Sequence, residues 1–200
     1  MDVDLRKIDT QQAYKLMSGS VVPRPIAWVS SMDAAGKLNL APFSFFTVAS
    51  RNPPMLCISI GPGVGERLGT IKDTLENIRT QKQYVINIVN TDLGNEMQES
   101  AKNFPREVDE FGAAGVSPVP STSIAVPRVG EAPISFELEL DRIIELGSDH
   151  LILGNIVHYH IKDEYYLGNY KVDLDKLKPL GRIANKYSEV QDIFSLPKEK

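Results

Sequence analysis

Residues 23–46 hold two segments, Pro23-Arg24-Pro25-Ile26-Ala27-Trp28-Val29-Ser30-Ser31 and Asn39-Leu40-Ala41-Pro42-Phe43-Ser44-Phe45-Phe46. The first is a run of strand formers entered through two prolines, which fix the backbone on either side of Arg24. Asp33 to Gly36 supplies a turn, and in the second segment small polar residues alternate with apolar ones. Two such segments side by side make a wall of backbone amides and hydroxyls, suited to a flat aromatic cofactor with a phosphate tail. Lys72-Asp73-Thr74 stands at the start of a predicted helix. There a cation and a hydroxyl join the free N–H groups and partial positive charge of a helix N-terminus, a combination that suits a phosphate.

Working outward, Asp9 to Met17 reads as a short helix with Ala13, Leu16 and Met17 as its apolar stripe, closed by Gly19. Phe43, Phe45 and Phe46 run on into Thr47-Val48-Ala49, and Asn52-Pro53-Pro54 breaks that segment because tandem prolines remove two backbone donors. Met55 to Ile60 reads as a buried strand and Gly61 to Gly65 as a loop. Asp73-Thr74-Leu75-Glu76 has capping-box spacing and opens a helix to about Lys82. Tyr84 to Val89 is a further strand. Thr91 to Asn103 and Arg106 to Phe111 read as helical or irregular, and Ser117 to Pro133, with Pro118, Pro120, Pro127 and Pro133, as an extended connection. Ile134, Phe136, Leu138 and Leu140 then alternate with Ser135, Glu137, Glu139 and Asp141, the period of a half-buried strand. A turn at Gly147-Ser148-Asp149-His150 leads into a partner strand, Leu151 to Ile161. About six strands joined mostly by turns predict a mainly β, antiparallel barrel with peripheral helices, in one domain spanning 1–200.

The composition narrows the class of function. Apolar residues make up 42% and charged residues 24%, ordinary values for a globular protein. With 22 basic against 26 acidic side chains, the net charge of -4 gives no electrostatic footprint for nucleic acid or an anionic membrane. No apolar run is long enough for a membrane helix, and the polar start Met1-Asp2-Val3-Asp4 lacks the core of a secretion signal. The single cysteine, Cys57, cannot form an internal disulfide, so the expectation is a cytoplasmic protein.

Each feature has a plainer reading when taken alone. Lys72-Asp73-Thr74 is also what a capped surface helix looks like, Arg24 a surface arginine in a stiff turn, and Trp28 a core residue. Asn39, Ser44, Ser30 and Ser31 suit turns and strand edges; their grouping within two adjacent segments favours a site. Cys57 reads as a small core residue. Glu137 and Glu139 read as the solvated face of their strand. His158 and His160 share a strand face, but without further ligands they read as solvent-facing, and no metal site is expected. Gly61, Gly63 and Gly65 fail as a dinucleotide fingerprint, since Glu66 stands at its last glycine; Gly36-Lys37 is followed by Leu38, which rules out a Walker loop.

As a set these segments resemble the flavin reductase-like family of FMN-binding split barrels, which includes flavoredoxins and the reductase components of two-component monooxygenases. Besides the two opening segments, the resemblance rests on Asn52-Pro53-Pro54, Lys72-Asp73-Thr74 with Asn77-Ile78, Glu131-Ala132-Pro133, the Gly147 to His150 turn with Gly154, and Pro179-Leu180-Gly181-Arg182 before Tyr187. It covers roughly residues 15 to 187. It implies a homodimer of antiparallel split β-barrels that binds FMN and takes hydride from NADH or NADPH. The reduced flavin then goes to a partner oxygenase or passes electrons on to another protein. An FMN-binding electron carrier reduced by a protein partner is the alternative. By resemblance, Trp28, Val29, Ser30 and Ser31 line the isoalloxazine, and Asn39, Leu40 and Ala41 add hydrogen bonds. Ser44, Lys72 and Thr74 contact the phosphate with Arg24 close by, and His150 touches flavin or nicotinamide. No catalytic acid, base or nucleophile is implied, since hydride passes between cofactors. Two departures from the family pattern bear on pocket shape: the longer glycine-rich loop Gly61 to Gly69, and Ala184-Asn185 where small glycines are common.

Overall fold

The computed structural model describes residues 1–105 and 107–196, with the backbone alone at Glu66. Twelve strands are formed among them: β1 (Arg24–Pro25), β2 (Ala27–Met32), β3 (Leu38–Phe43), β4 (Phe46–Arg51), β5 (Pro54–Ile60), β6 (Gln83–Ile88), β7 (Pro118–Val119), β8 (Arg128–Val129), β9 (Ile134–Leu146), β10 (Asp149–Ile161), β11 (Leu180–Ile183) and β12 (Lys186–Glu189). Five α-helices accompany them: α1 (Thr10–Ser20), α2 (Asp73–Gln81), α3 (Gly94–Glu99), α4 (Glu110–Ala114) and α5 (Leu174–Leu177). Seven strands form one sheet in the order β3-β2-β6-β9-β10-β5-β4, every pairing antiparallel. The sheet curls until its edge strand β3 lies against β5 near the opposite edge.

The expected continuous segment from Phe43 to Ala49 is two strands, β3 and β4, broken at Ser44-Phe45. β2 is buried on both faces. Ala27 and Val29 join one core with Leu56, Ile58, Ile78 and Ile86. Trp28 enters another with Ile26, Leu40, Met97 and Phe111. That double burial is why Ile26 to Val29 reads as an unbroken apolar run.

Further expectations need correction. The apolar stripe of α1 is not packed, since Leu16 and Met17 are about half exposed. The capping box of α2 does not form. Lys72 occupies the N-cap without a side-chain bond, and the Asp73 carboxylate accepts from Arg67 Nη1 at 2.7 Å instead. Cys57 is only half-buried, although burial still raises its thiol pKa.

Another is Glu137, which is fully buried. Loop 120–127 folds over it, and its carboxylate accepts the N–H groups of Thr122 at 2.6 Å and Ser123 at 2.7 Å and bonds His160 Nε2 at 2.5 Å. Burial would raise its pKa, but the N–H of Thr122, the His160 contact and the N–H of Ser123 outweigh it and hold the carboxyl below the usual range. His160 is accordingly a partner of Glu137, not a free surface histidine. Arg106, where the last expected helical stretch begins, lies outside the described residues; α4 starts at Glu110.

Candidate flavin-binding site

Two clefts meet at Pro42 and Ala101. The smaller, about 90 Å³, is bounded by Asn39, Arg67, Lys72, Thr74, Asn103 and Glu110. The larger, about 320 Å³, is bounded by Tyr14, Phe43, Ser44, Gln98, Arg182 and Tyr187. Their common wall is β3, the edge strand of the sheet. Leu40 N–H points away from β2 and is accepted by Glu110 Oε2 at 2.5 Å. Two residues on, Pro42 has no N–H to offer, so neither position presents a free N–H to another strand.

Asn39 is the hub of the smaller cleft. Its Oδ1 accepts from Thr74 Oγ1 at 2.7 Å and Ser31 Oγ at 3.1 Å, and its Nδ2 donates to Glu110 Oε2. Asn77 Nδ2 donates to Ser31 Oγ at 3.1 Å, which ties the wall to α2. Burial pushes the Glu110 carboxyl up to about 7, the nearby Asp73 charge adding to it against the Leu40 N–H, Arg67 and Asn39.

Lys72 lies in the same cleft, half-buried, its Nζ 5.3 Å from the Phe43 ring centre. Burial lowers its pKa, the Arg67 charge adds to that, and Asp149 opposes. Lys72 is in no ion pair among the described residues. An ammonium taken partly out of water and held in no ion pair suits an incoming anion. Lys72 and Arg67, with Thr74 at the first turn of the nine-residue α2, therefore fit the phosphate of a flavin nucleotide.

The structure divides the residues singled out by sequence. Asn39, Ala41, Lys72 and Thr74 line the smaller cleft and Ser44 the larger, while Leu40 reaches the site through its backbone N–H. Trp28, Val29, Ser30 and Ser31 line neither, because all four are fully buried in a strand paired on both edges. Trp28 Nε1 donates to Ser100 Oγ at 2.9 Å, and Asn87 Nδ2 donates to Ser30 Oγ at 2.9 Å, so these residues form the foundation beneath the wall. Arg24 is buried as well. Its Nη1 donates to Ser18 O at 2.5 Å and Val21 O at 3.0 Å, closing the C-terminus of α1, and its Nε reaches Ser44 Oγ at 3.3 Å. His150 pairs with Ile60 and Glu145 in β10 and lines neither cleft.

Sequence reasoning passed over Arg67, Glu110, Arg182 and Tyr187 as site residues. The Arg182 guanidinium lies 4.5 Å from the Tyr187 ring centre, and Tyr187 Oη donates to Gln98 Oε1 at 2.5 Å. The Pro179 to Arg182 motif was the available signal for this pair. Nothing local marked Glu110, which reaches β3 across 70 residues of chain.

Comparison with known proteins agrees with this architecture. Residues 17–177 match the family model described as flavin reductase like domain. An uncharacterized protein of Aquifex aeolicus is 37% identical over 187 residues, covering 94% of each chain. Nitrilotriacetate monooxygenase component B from Bacillus cereus superposes with a TM-score of 0.92 at 31% identity, over 98% of both chains. A flavin reductase from Shewanella frigidimarina, described as putative and as having a split barrel domain, gives 0.84 at 20% identity over the full length of both, a likeness of fold. The architecture is the split β-barrel. The chain belongs to the flavin reductase-like family.

Proposed function

We propose that this chain is an FMN-binding, NAD(P)H-dependent flavin oxidoreductase, acting as one domain in the cytoplasm. The observation that carries the reading is Lys72, a half-buried ammonium in no ion pair among the described residues, beside Thr74 at the start of α2. When bound, FMN supplies the ring system that accepts a hydride, two electrons and one proton together, from reduced nicotinamide.

The protein's part is to bind and orient. Lys72, Arg67 and Thr74 hold the phosphate. The β3 wall, stiffened through Asn39, Ser31 and Asn77, offers a fixed surface along the ring, with Ala41 and Pro42 at its centre. The larger cleft, with Arg182 stacked on Tyr187 and Ser44 beside it, admits the nicotinamide donor. Rigid placement of two reactants is the main contribution asked of such a site, and no nucleophile or acid–base pair is needed. Tyr14, Leu16, Met17 and Val21 leave an apolar surface along α1, which favours a homodimer. The likeness to a monooxygenase component supports delivery of reduced flavin to a partner oxygenase.

The test is anaerobic absorbance on FMN-loaded protein, with NADH and then NADPH added. Rapid bleaching of the oxidised flavin band by either nucleotide is the expected result and identifies the donor. Bleaching by dithionite but by neither nucleotide overturns the reductase reading in favour of an electron carrier.

A further inference from the structure

Pro42, Trp28, Asn87, Ser135 and His160 stand in one register row across five strands. The flavin clefts lie at the Pro42 end. At the His160 end the loop between β7 and β9 folds against the sheet, pinned by Val129 N–H to Asn87 Oδ1 at 3.0 Å. A separate cavity of about 300 Å³ opens there, lined by Arg128, Ser135, Tyr159, His160 and Lys162, and it shares no residue with the two clefts above. We propose that this cavity binds a small anion through a carboxylate or phosphate group, gripped by Arg128 and Lys162.

The charges in the cavity are one-sided, since among the described residues no acidic side chain lines it. Two neighbouring acids are already engaged, and one of them, Glu131, also feels the Lys162 charge. Glu137 sits behind His160 and accepts the N–H groups of Thr122 and Ser123, and the Glu131 carboxylate accepts Ser117 N–H at 3.0 and 3.1 Å. Arg128 is in no ion pair among the described residues, and its Nε–H is buried without an acceptor. A buried guanidinium donor left unpaired is unfavourable, and a carboxylate or phosphate supplies the pair of acceptor oxygens that completes it. Lys162 Nζ spends one of its three donors on Glu131 O at 2.7 Å, leaving the others for a ligand.

The remaining walls are prearranged. Glu137 fixes the His160 imidazole, which in turn lies 4.6 Å from the His158 ring. Tyr159 is packed edge-on against Phe136 at 5.1 Å, and burial, with the neighbouring Tyr166, raises its phenol pKa, so it stays a hydrogen-bond donor. Groups held by their own packing bind an anion with little ordering cost. The proposal does not depend on the flavin reading.

The test is an NMR titration of the full chain across the millimolar range, with inorganic phosphate in one arm and benzoate in the other. The signals followed are the Arg128 Nε–H and the His160 ring, which separate this cavity from anion binding at Lys72. Saturable shifts are expected, and saturation by one probe alone identifies its group as the one recognised. Arg128→Gln should weaken binding roughly ten- to a hundredfold, the loss of a charge-assisted bidentate contact. If that variant does not fold, Lys162→Gln provides the same reading with a smaller loss. The absence of saturable shifts with both probes overturns the proposal, as does binding unchanged in both variants.

Discussion

Glu110 Oε2 receives the backbone N–H of Leu40 at 2.5 Å, so an acid from a distant helix closes the outer edge of β3 within the cleft that also holds Lys72. The native carboxyl keeps its proton to about 7, whereas an unfolded glutamate releases it near 4.5. Between those values the native state binds more protons than the unfolded state. The stabilisation is therefore full below about 4.5 and is lost as pH rises through about 7. Glu110→Gln keeps an oxygen for Leu40 N–H but cannot ionise. It should flatten this slope and raise stability at pH 8 by about 1–3 kcal/mol, read from urea unfolding between pH 5 and 8. An unchanged slope would show that another group carries it.

Lys72 links stability to ligand binding in the opposite sense. Removing its charge should weaken FMN by about 1–3 kcal/mol, the usual loss for a charge-assisted hydrogen bond. With no ion pair to break among the described residues, Lys72→Met should also leave the flavin-free protein as stable as before or more so. Fluorescence titration with FMN and thermal melts of the apoprotein read the two effects separately. FMN affinity equal to that of the parent chain would remove Lys72 from the site.

How much of this was legible beforehand depended on whether the decisive contact was local. β2 and β5 followed from their apolar runs, and the long antiparallel pair β9–β10 from its period of two, because those patterns are fixed within a few residues. The cluster at Asn39, Lys72 and Thr74 was legible as motif chemistry. The closure at Glu110 was not, since helix α4 is only five residues long and its acid meets β3 through the fold. Glu137 misled for a related reason: alternation assigns a residue to a face, but only the tertiary path of loop 120–127 buries that face. Trp28 to Ser31 were expected along the isoalloxazine by family resemblance; the structure buries them on β2, one layer behind the β3 residues that line the clefts.

Ala184 carries a strain the sequence already hinted at. It is the first residue of the two-residue turn between β11 and β12, with Ile183 paired to Lys186, and it adopts φ +46. Left-handed backbone at that turn position favours glycine, because a Cβ crowds the carbonyl. Ala184→Gly should gain about 0.5–1 kcal/mol in chemical denaturation, and Ala184→Val should lose at least as much. Since Arg182 Nε donates to Ala184 O at 3.0 Å, the same turn also sets the guanidinium over Tyr187.

Gly154 and Tyr84 are expected to be energetically coupled through a single atom. A Cβ built on Gly154 falls 2.1 Å from Tyr84 Oη, 2.9 Å from its Cζ and 3.1 Å from Leu138 Cδ2. Tyr84 is fully buried and its hydroxyl has no hydrogen-bond partner among the described residues; burial, reinforced by Cys57, drives its pKa far upward. Gly154→Ala must therefore push the ring out of a packed core and should cost about 1–3 kcal/mol. Tyr84→Phe removes an unsatisfied polar atom and should be neutral or mildly stabilising by itself. In the double variant the worst clash is gone while the tight approaches to Cζ and Leu138 remain, so part of the loss should return. A double-mutant cycle by urea denaturation should give a coupling of about 1 kcal/mol or more. Strict additivity would mean that β10 shifts away from β6 to accept the methyl group, and that the hydroxyl is not what requires glycine here.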